Sequence, residues 1–355
     1  MIIIFVLCLL VLVAVLETKW GPAALAQLTM SHDCDHLLAE SGEQITWTGK
    51  VSNQGRLPVF FVRLTKALPQ DIVLHEDPGW IRSNLKQMAV SLYMEERFSL
   101  MPGRTRESSL TFSFLKRGRY DMGRYRLSAG DLLGYLESSR DSEGHQHVVV
   151  IPAKLEHDEA LNAVGGFLGD ISVRRFIMED PILTAGFRDY TGREPMKDIS
   201  WTRTAVAGRL QVRQFDHTSE QTVMVILNVD GGSHETLERC FSLTRMVCEE
   251  MEKKHIPYAF CTNGQLIGPV GQIQWLADGL GTQHLDTLLY GLGQATYTCF
   301  YSLSTLVEQC RRHEKRGQSY ILITPELSAD ERQILRPLEE SSGQPVCVVV
   351  GKEDV

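Results

Sequence analysis

The sequence predicts an α/β, doubly wound C-terminal domain preceded by an antiparallel β-sandwich-like domain and an N-terminal transmembrane helix. Three observations predict it. Residues 1–16 (MIIIFVLCLLVLVAVL) contain no charge and no proline. From residue 45 onward, short runs alternate apolar and polar side chains between turn residues, the period-two pattern of a half-buried strand. From residue 222, wholly apolar runs alternate with amphipathic stretches, as expected of parallel strands covered by helices on both faces. The boundaries that follow are an anchor over 1–20, a β-rich domain over 31–152, a connector over 153–216 and an α/β domain over 217–355.

The N-terminal run is short for a membrane span. A helix rises about 1.5 Å per residue, so residues 1–16 reach about 24 Å against a hydrocarbon core of about 30 Å. Trp20 suits an interface, and residues 21–26 (GPAALA) lengthen the apolar stretch. A signal peptide is the alternative, with a cleavage-like AALA at 23–26, but no positive charge precedes the apolar run. Lys19 lies on the C-terminal flank, and positive-inside logic then places the remainder in the cytoplasm of a single-pass cell-membrane protein.

Strands are expected at 45–51 (ITWTGKV), 59–64 (VFFVRL), 110–114 (LTFSF), 125–127 and 147–151 (HVVVI), with turns at 52–55 (SNQG) and 116–120 (KRGRY). Several short strands separated by turn residues suggest a sandwich. Residues 153–200 show little periodicity and read as a connector. Beyond it, buried strands are expected at 222–229 (TVMVILNV), 257–262 (PYAFCT), 319–324 (SYILIT) and 346–350 (VCVVV). Helices are expected at 235–254, 285–292, 301–312 and 329–340; Leu237, Phe241, Val247 and Met251 mark the apolar face of the first.

Composition narrows the function. A net charge of -8 over 355 residues argues against a nucleic-acid partner, because phosphate binding needs a basic face. None of the eight cysteines forms a CxxC pair, and most lie in apolar runs, so they read as buried reduced thiols. No GxSxG, HExxH, GxxxxGK[ST], or GxGxxG after a strand occurs, which favours binding over catalysis. His32 and His36, with Asp33 and Cys34, have a spacing that could hold a metal; a solvated stretch is the plainer reading.

Two segments remain as candidate sites. Asp230-Gly231-Gly232-Ser233 follows the first apolar strand of the C-terminal domain. Ligands of open parallel sheets bind outside the strand C-termini, so Asp230 and Ser233 could supply oxygen ligands to Mg²⁺. The alternative is that Asp230 or Ser233 caps the next helix and the glycines make the turn. The second segment, residues 187–215, interleaves Arg, Asp, Glu and Lys with Tyr and Trp. It could form a salt-bridged clamp or a recognition surface, and Tyr190, Ile199 and Trp201 are expected to need burial.

Tyr190, Arg193-Glu194-Pro195, Lys197, Ile199-Ser200-Trp201, Gly208 and Leu210 resemble the motif of a bacterial family known as domain of unknown function 58. Gly42-Glu43, Arg117-Gly118-Arg119-Tyr120 and Asp131-Leu132-Leu133-Gly134 look like the β region that precedes that motif. The resemblance implies a membrane anchor, a β domain, a von Willebrand factor type A-like domain and a MoxR-type AAA+ ATPase as partner. Such domains carry Asp-x-Ser-x-Ser; here Asp230 keeps the carboxylate while Gly232 and His234 stand at the hydroxyl positions. The expectation is a non-enzymatic, membrane-anchored interaction scaffold that acts with the ATPase in assembly or maturation of protein complexes. Metal-dependent ligand binding or adhesion through Asp230 is the alternative, and an unrecognised hydrolase a distant third.

Overall fold

The computed structural model describes residues 20–69, 71–75, 86–88, 91–130, 137–143, 146–155, 164–171, 184–192, 194–215, 222–266, 274–315 and 317–352. The chain divides into two compact units, Met1–Ala153 and Lys154–Val355.

In the first unit, residues 20–27 form helix α1. The strands follow in order: β1 (Leu28–Cys34), β2 (Leu38–Ala39), β3 (Gln44–Asn53), β4 (Val59–Leu68), β5 (Ile72–Leu74) and β6 (Lys86–Met88). Next come β7 (Ser91–Leu100), β8 (Thr105–Phe114), β9 (Gly118–Asp121), β10 (Arg124–Gly130), β11 (Glu137–Glu143) and β12 (His147–Val150). One sheet has the order β1-β3-β8-β5, a second β11-β10-β4-β7-β6, and a small third β2-β12-β9. Alternation explains the packing. In β3, Ile45, Trp47 and Val51 point inward, and in β4, Val62, Leu64 and Leu68 do so. With Leu110, Phe112 and Phe114 of β8 and Leu127 of β10 they form one core. Period-two burial of this kind needs one wet and one dry face per sheet.

The second unit opens with helix α2 (residues 164–171) and the antiparallel pair β13 (Thr184–Asp189) and β14 (Gln211–Phe215), which enclose helix α3 (Trp201–Ala207). Then come β15 (Val223–Leu227), α4 (His234–Lys253), β16 (Tyr258–Thr262), β17 (Gly264–Leu266), β18 (Trp275–Gly279), α5 (Thr282–Gln294) and β19 (Ala295–Cys299). The chain closes with α6 (Leu303–Arg312), β20 (Ser319–Thr324), α7 (Ala329–Ile334), α8 (Arg336–Ser342) and β21 (Cys347–Val350). Five strands make a sheet of order β18-β16-β15-β20-β21. All five residues of β15 are buried because helices cover both faces: α4 packs on β15 and β20, while Leu306 and Cys310 of α6 and Leu338 of α8 join Met224 and Ile226 opposite.

Two expectations are corrected. The von Willebrand factor type A-like, doubly wound fold class does not describe the chain. Strands dominate, most pairs are antiparallel, and the C-terminal sheet is mixed, with β18 running antiparallel to β16. The reason is local: residues 264–266 and 275–279 form short strands, the second antiparallel to β16, and β17 pairs with β19 in a separate ribbon. The transmembrane helix and single-pass membrane placement are not supported: among the described residues no helix is long and apolar enough to cross a membrane. The apolar run 1–16 itself lies outside the described residues. The connector, 153–216, holds α2, β13, α3 and β14 among its described residues.

Candidate functional site

The 187–215 segment is a small module built on the β13–β14 pair. Arg188 faces Val212 and Asp189 faces Gln211, and the Tyr190 N–H donates to the Leu210 carbonyl at 2.9 Å. Glu194 locks the turn. It accepts from the Thr191 N–H at 3.1 Å and the Thr191 hydroxyl at 2.7 Å, and it pairs with Arg188 at 2.7 Å. Those donors, the Thr191 hydroxyl first, hold the Glu194 carboxyl down at about 2. Pro195, with φ of -59°, leads into a single 3₁₀ turn, Met196–Asp198. Ile199 is buried and bridges Val212, and the Ser200 N–H donates to Gln211 at 2.8 Å.

Gly208 ends α3 at a φ of 66°, a left-handed position that costs glycine nothing. The Gln211 N–H donates to the Thr204 hydroxyl at 3.0 Å. The Gln211 side-chain amide donates to Asp189, which also pairs with Arg209 at 2.9 Å. Lys197 and Leu210 are exposed, and Arg193 lies outside the described residues. The motif's acids are thus spent on internal pairs that fix its backbone.

What that backbone presents is apolar. None of the residues of α3 is buried. Trp201 is 62% exposed, Val206 82% and Met196 69%. This corrects the expectation that Trp201 needs burial; Ile199 and the bridge to Val212 take that role instead. Arg203 stacks over Phe187, 5.0 Å from the ring centre.

The strand-end segment is organised for closure. The β15 and β20 C-termini bracket the point where the strand order reverses, the usual ligand crevice of such a sheet. Here buried amides fill it. The Asn228 amide donates to the Thr324 hydroxyl at 3.1 Å, and the Asn263 amide donates to the Asn228 carbonyl oxygen at 2.7 Å and to the Tyr301 carbonyl at 3.0 Å. The N–H of Val229 donates to the Asn263 side chain and that of Asp230 to Asn228, at 2.9 and 3.1 Å.

The glycine turn serves the same closure. Gly231 and Gly232 have φ of 78° and 82°, and a Cβ on Gly232 would fall 2.6 Å from Pro325. No hydroxyl-bearing side chain fits that position. Ser233 caps α4, accepting from the Thr236 N–H at 3.2 Å. Asp230 is left exposed without the two hydroxyl partners a divalent ion would need. Among the described residues no cluster of three His, Cys, Asp or Glu is placed to hold a metal, and His32 lies on a strand, not a helix.

Sequence reasoning missed the polar groups inside the sandwich. Lys66 is fully buried on the inner face of β4. Its ammonium donates to the Met122 carbonyl and, at 3.4 Å, to that of Arg124, and sits 5.2 Å from the Trp47 ring centre. Burial pulls the amine down to about 8. Glu96, also inward, accepts from Ser108 and from Arg106 at 3.0 Å. The signal was present: Val62, Leu64, Lys66 and Leu68 share one alternation.

Residues 189–255 match the profile of a family described as SMODS and SLOG-associating 2TM effector domain 2, a membrane-associated domain by that description. In this chain the matched residues run from the end of β13 through α4, a helix that covers a sheet and pairs buried Arg245 with half-buried Glu249 at 2.7 Å. No curated protein matches. Similar solved structures include the CARDB domain of a Pyrococcus furiosus protein, 14% identical over 35% of this chain and 87% of that one, with a TM-score of 0.21. The major pilin subunit of Bacillus cereus is 9% identical over 36% and 41%, with a TM-score of 0.25. The sporulation control protein Spo0M of Bacillus subtilis is 12% identical over 46% and 58%, with a TM-score of 0.20. Likenesses at this level carry no argument about function.

Proposed function

We propose that the chain is a non-enzymatic interaction scaffold whose β13–α3–β14 module docks a protein partner. The observation that carries this reading is α3: a seven-residue helix with no buried residue, presenting Trp201 and Val206 beside Met196. So short a helix is not stable in isolation, and the ion-paired frame around Glu194 and Asp189 holds it in place. Exposed aromatic and aliphatic groups on a rigid, polar-framed support are the usual anchors of protein interfaces. Lys197, Arg203 and Arg213 are exposed around them, so the facing surface should carry carboxylates around an apolar centre.

The resemblance of residues 190–210 to domain of unknown function 58 makes a MoxR-type AAA+ ATPase the first partner to test. The metal-dependent alternative at Asp230 is not favoured, because Gly232 packs on Pro325 and Ser233 is spent on a helix cap. Titration calorimetry of the full chain against the purified ATPase, with and without ATP, tests the proposal. Saturable binding that Trp201→Ala weakens by about 2 kcal/mol, roughly thirtyfold, with unchanged thermal stability, would support it. No heat with the ATPase removes that partner, and binding indifferent to both Trp201→Ala and Val206→Asp removes the docking surface.

A further inference from the structure

The outer, wet face of the second sheet in the N-terminal unit carries a shallow cavity of about 650 Å³ across β11, β10, β4 and β7. The register builds it. Arg126 stands opposite Asp141 on β11 and Thr65 on β4, and Thr65 in turn faces Glu95 on β7. One row of the face therefore reads carboxylate, guanidinium, hydroxyl, carboxylate. Arg126 and Asp141 form a two-pronged pair, 2.5 and 2.9 Å. Arg63 reaches Glu137 at 3.2 Å and Glu95 at 3.7 Å. Ala67 leaves space on the floor, and Tyr93, opposite Ala67 on β7, forms one end.

We propose that this face binds a neutral, polyhydroxylated ligand, namely a carbohydrate chain. Three arginines and three carboxylates line it, so the cavity has no net charge to attract a phosphate or a polycation. The paired planar groups are fixed donors and acceptors whose spare lone pairs and N–H groups can meet neighbouring hydroxyls on a pyranose ring. The Tyr93 ring supplies a flat apolar surface for a sugar's C–H face. Serine and threonine hydroxyls on the floor add contacts that exchange readily with water. An extended peptide would add to the open edge of β11 through its backbone, whereas this cavity lies across the side chains of β10, β4 and β7, whose ladders are paired on both sides. A lipid would need an apolar lining that these residues do not provide. The inference concerns a different unit from the docking module and stands or falls apart from it.

The test is titration of the full-length chain with cellohexaose, xylohexaose and chitohexaose, with heparin hexasaccharide as the anionic control, read by calorimetry and by Tyr93-region NMR shifts. The expected result is saturable, millimolar-or-tighter binding of at least one neutral hexaose. Tyr93→Ala and Asp141→Ala should each weaken it at least tenfold, with the thermal midpoint and the Trp201-dependent partner binding unchanged. Absence of saturation by all three neutral hexaoses up to about 10 mM would overturn the proposal. So would binding confined to heparin, or neutral binding that neither substitution affects.

Discussion

Lys66 shows how a single side chain sets a pH dependence. Its amine is fully buried among core residues and titrates near 8 when folded, lowered chiefly by burial. In the unfolded chain it titrates at the ordinary lysine value, near 10.4. The unfolded state therefore holds more protons between these values, and stability must rise with pH across that window. The gap corresponds to roughly 3 kcal/mol. Chemical denaturation at pH 7.5 and pH 10.5 should show wild type gaining about that much relative to Lys66→Met; equal pH responses would refute the buried charge. Glu194 works in the opposite sense. Its carboxyl is depressed to about 2, first by the Thr191 hydroxyl, so its contribution is intact above the ordinary glutamate range and disappears as pH falls from there through about 2. The Thr191 amide resonance should report that loss with a midpoint near 2, and Glu194→Gln should abolish the transition. Neither environment was stated by residue type alone. Lys66 was legible only by extending the Val62-Leu64 alternation through a charge, and Glu194 was legible as a motif residue but not as the lock of a turn.

At the scale of elements, periodicity was informative where one element buries one face, and failed where short pieces pair with each other. The strands expected at 45–51, 222–229, 257–262 and 319–324 form as β3, β15, β16 and β20, and the helix expected at 235–254 forms as α4. Residues 264–266, 275–279 and 295–299 carry too few side chains per strand to show a period, so β17, β18 and β19 were invisible. The same brevity hid α3, whose seven residues have no apolar stripe and none of which is buried among the described residues. The strand–turn–helix unit at β15–α4 makes a sharper prediction. Gly232→Ser would move the sequence towards the metal-binding pattern, yet the new Cβ would meet Pro325 at a φ of 82°. That substitution should destabilise the chain by about 1–3 kcal/mol. Calorimetry with millimolar Mg²⁺ should then show no heat in wild type or variant; a heat in the variant would mean the turn can open to admit an ion.

At the scale of the molecule, two core clusters among the described residues share no residue. One runs through Leu28, Trp47, Leu64, Phe112 and Leu127; the other runs through Met224, Ile226, Leu306, Leu322 and Leu338. Each belongs to one compact unit, and each is large enough to support cooperative folding of its own. Damage to one core should therefore stay in that unit. Trp47 is the natural place to strike. It is fully buried, and its ring occupies the space above Gly49, where even a Cβ would fall 2.4 Å from it. Removing the ring leaves a cavity in the packed core, so Trp47→Ala should cost the first unit about 3–5 kcal/mol. Hydrogen exchange on the full chain is the direct readout, because local stability differs between cooperative units. Amides of β3, β4 and β8 should lose protection in the variant, while those of β15, β16 and β20 should exchange as in wild type. Loss of protection in both sets would mean that the two cores fold as one cooperative body, and Trp201-dependent docking would then have to be read as a property of the whole chain and not of its C-terminal unit.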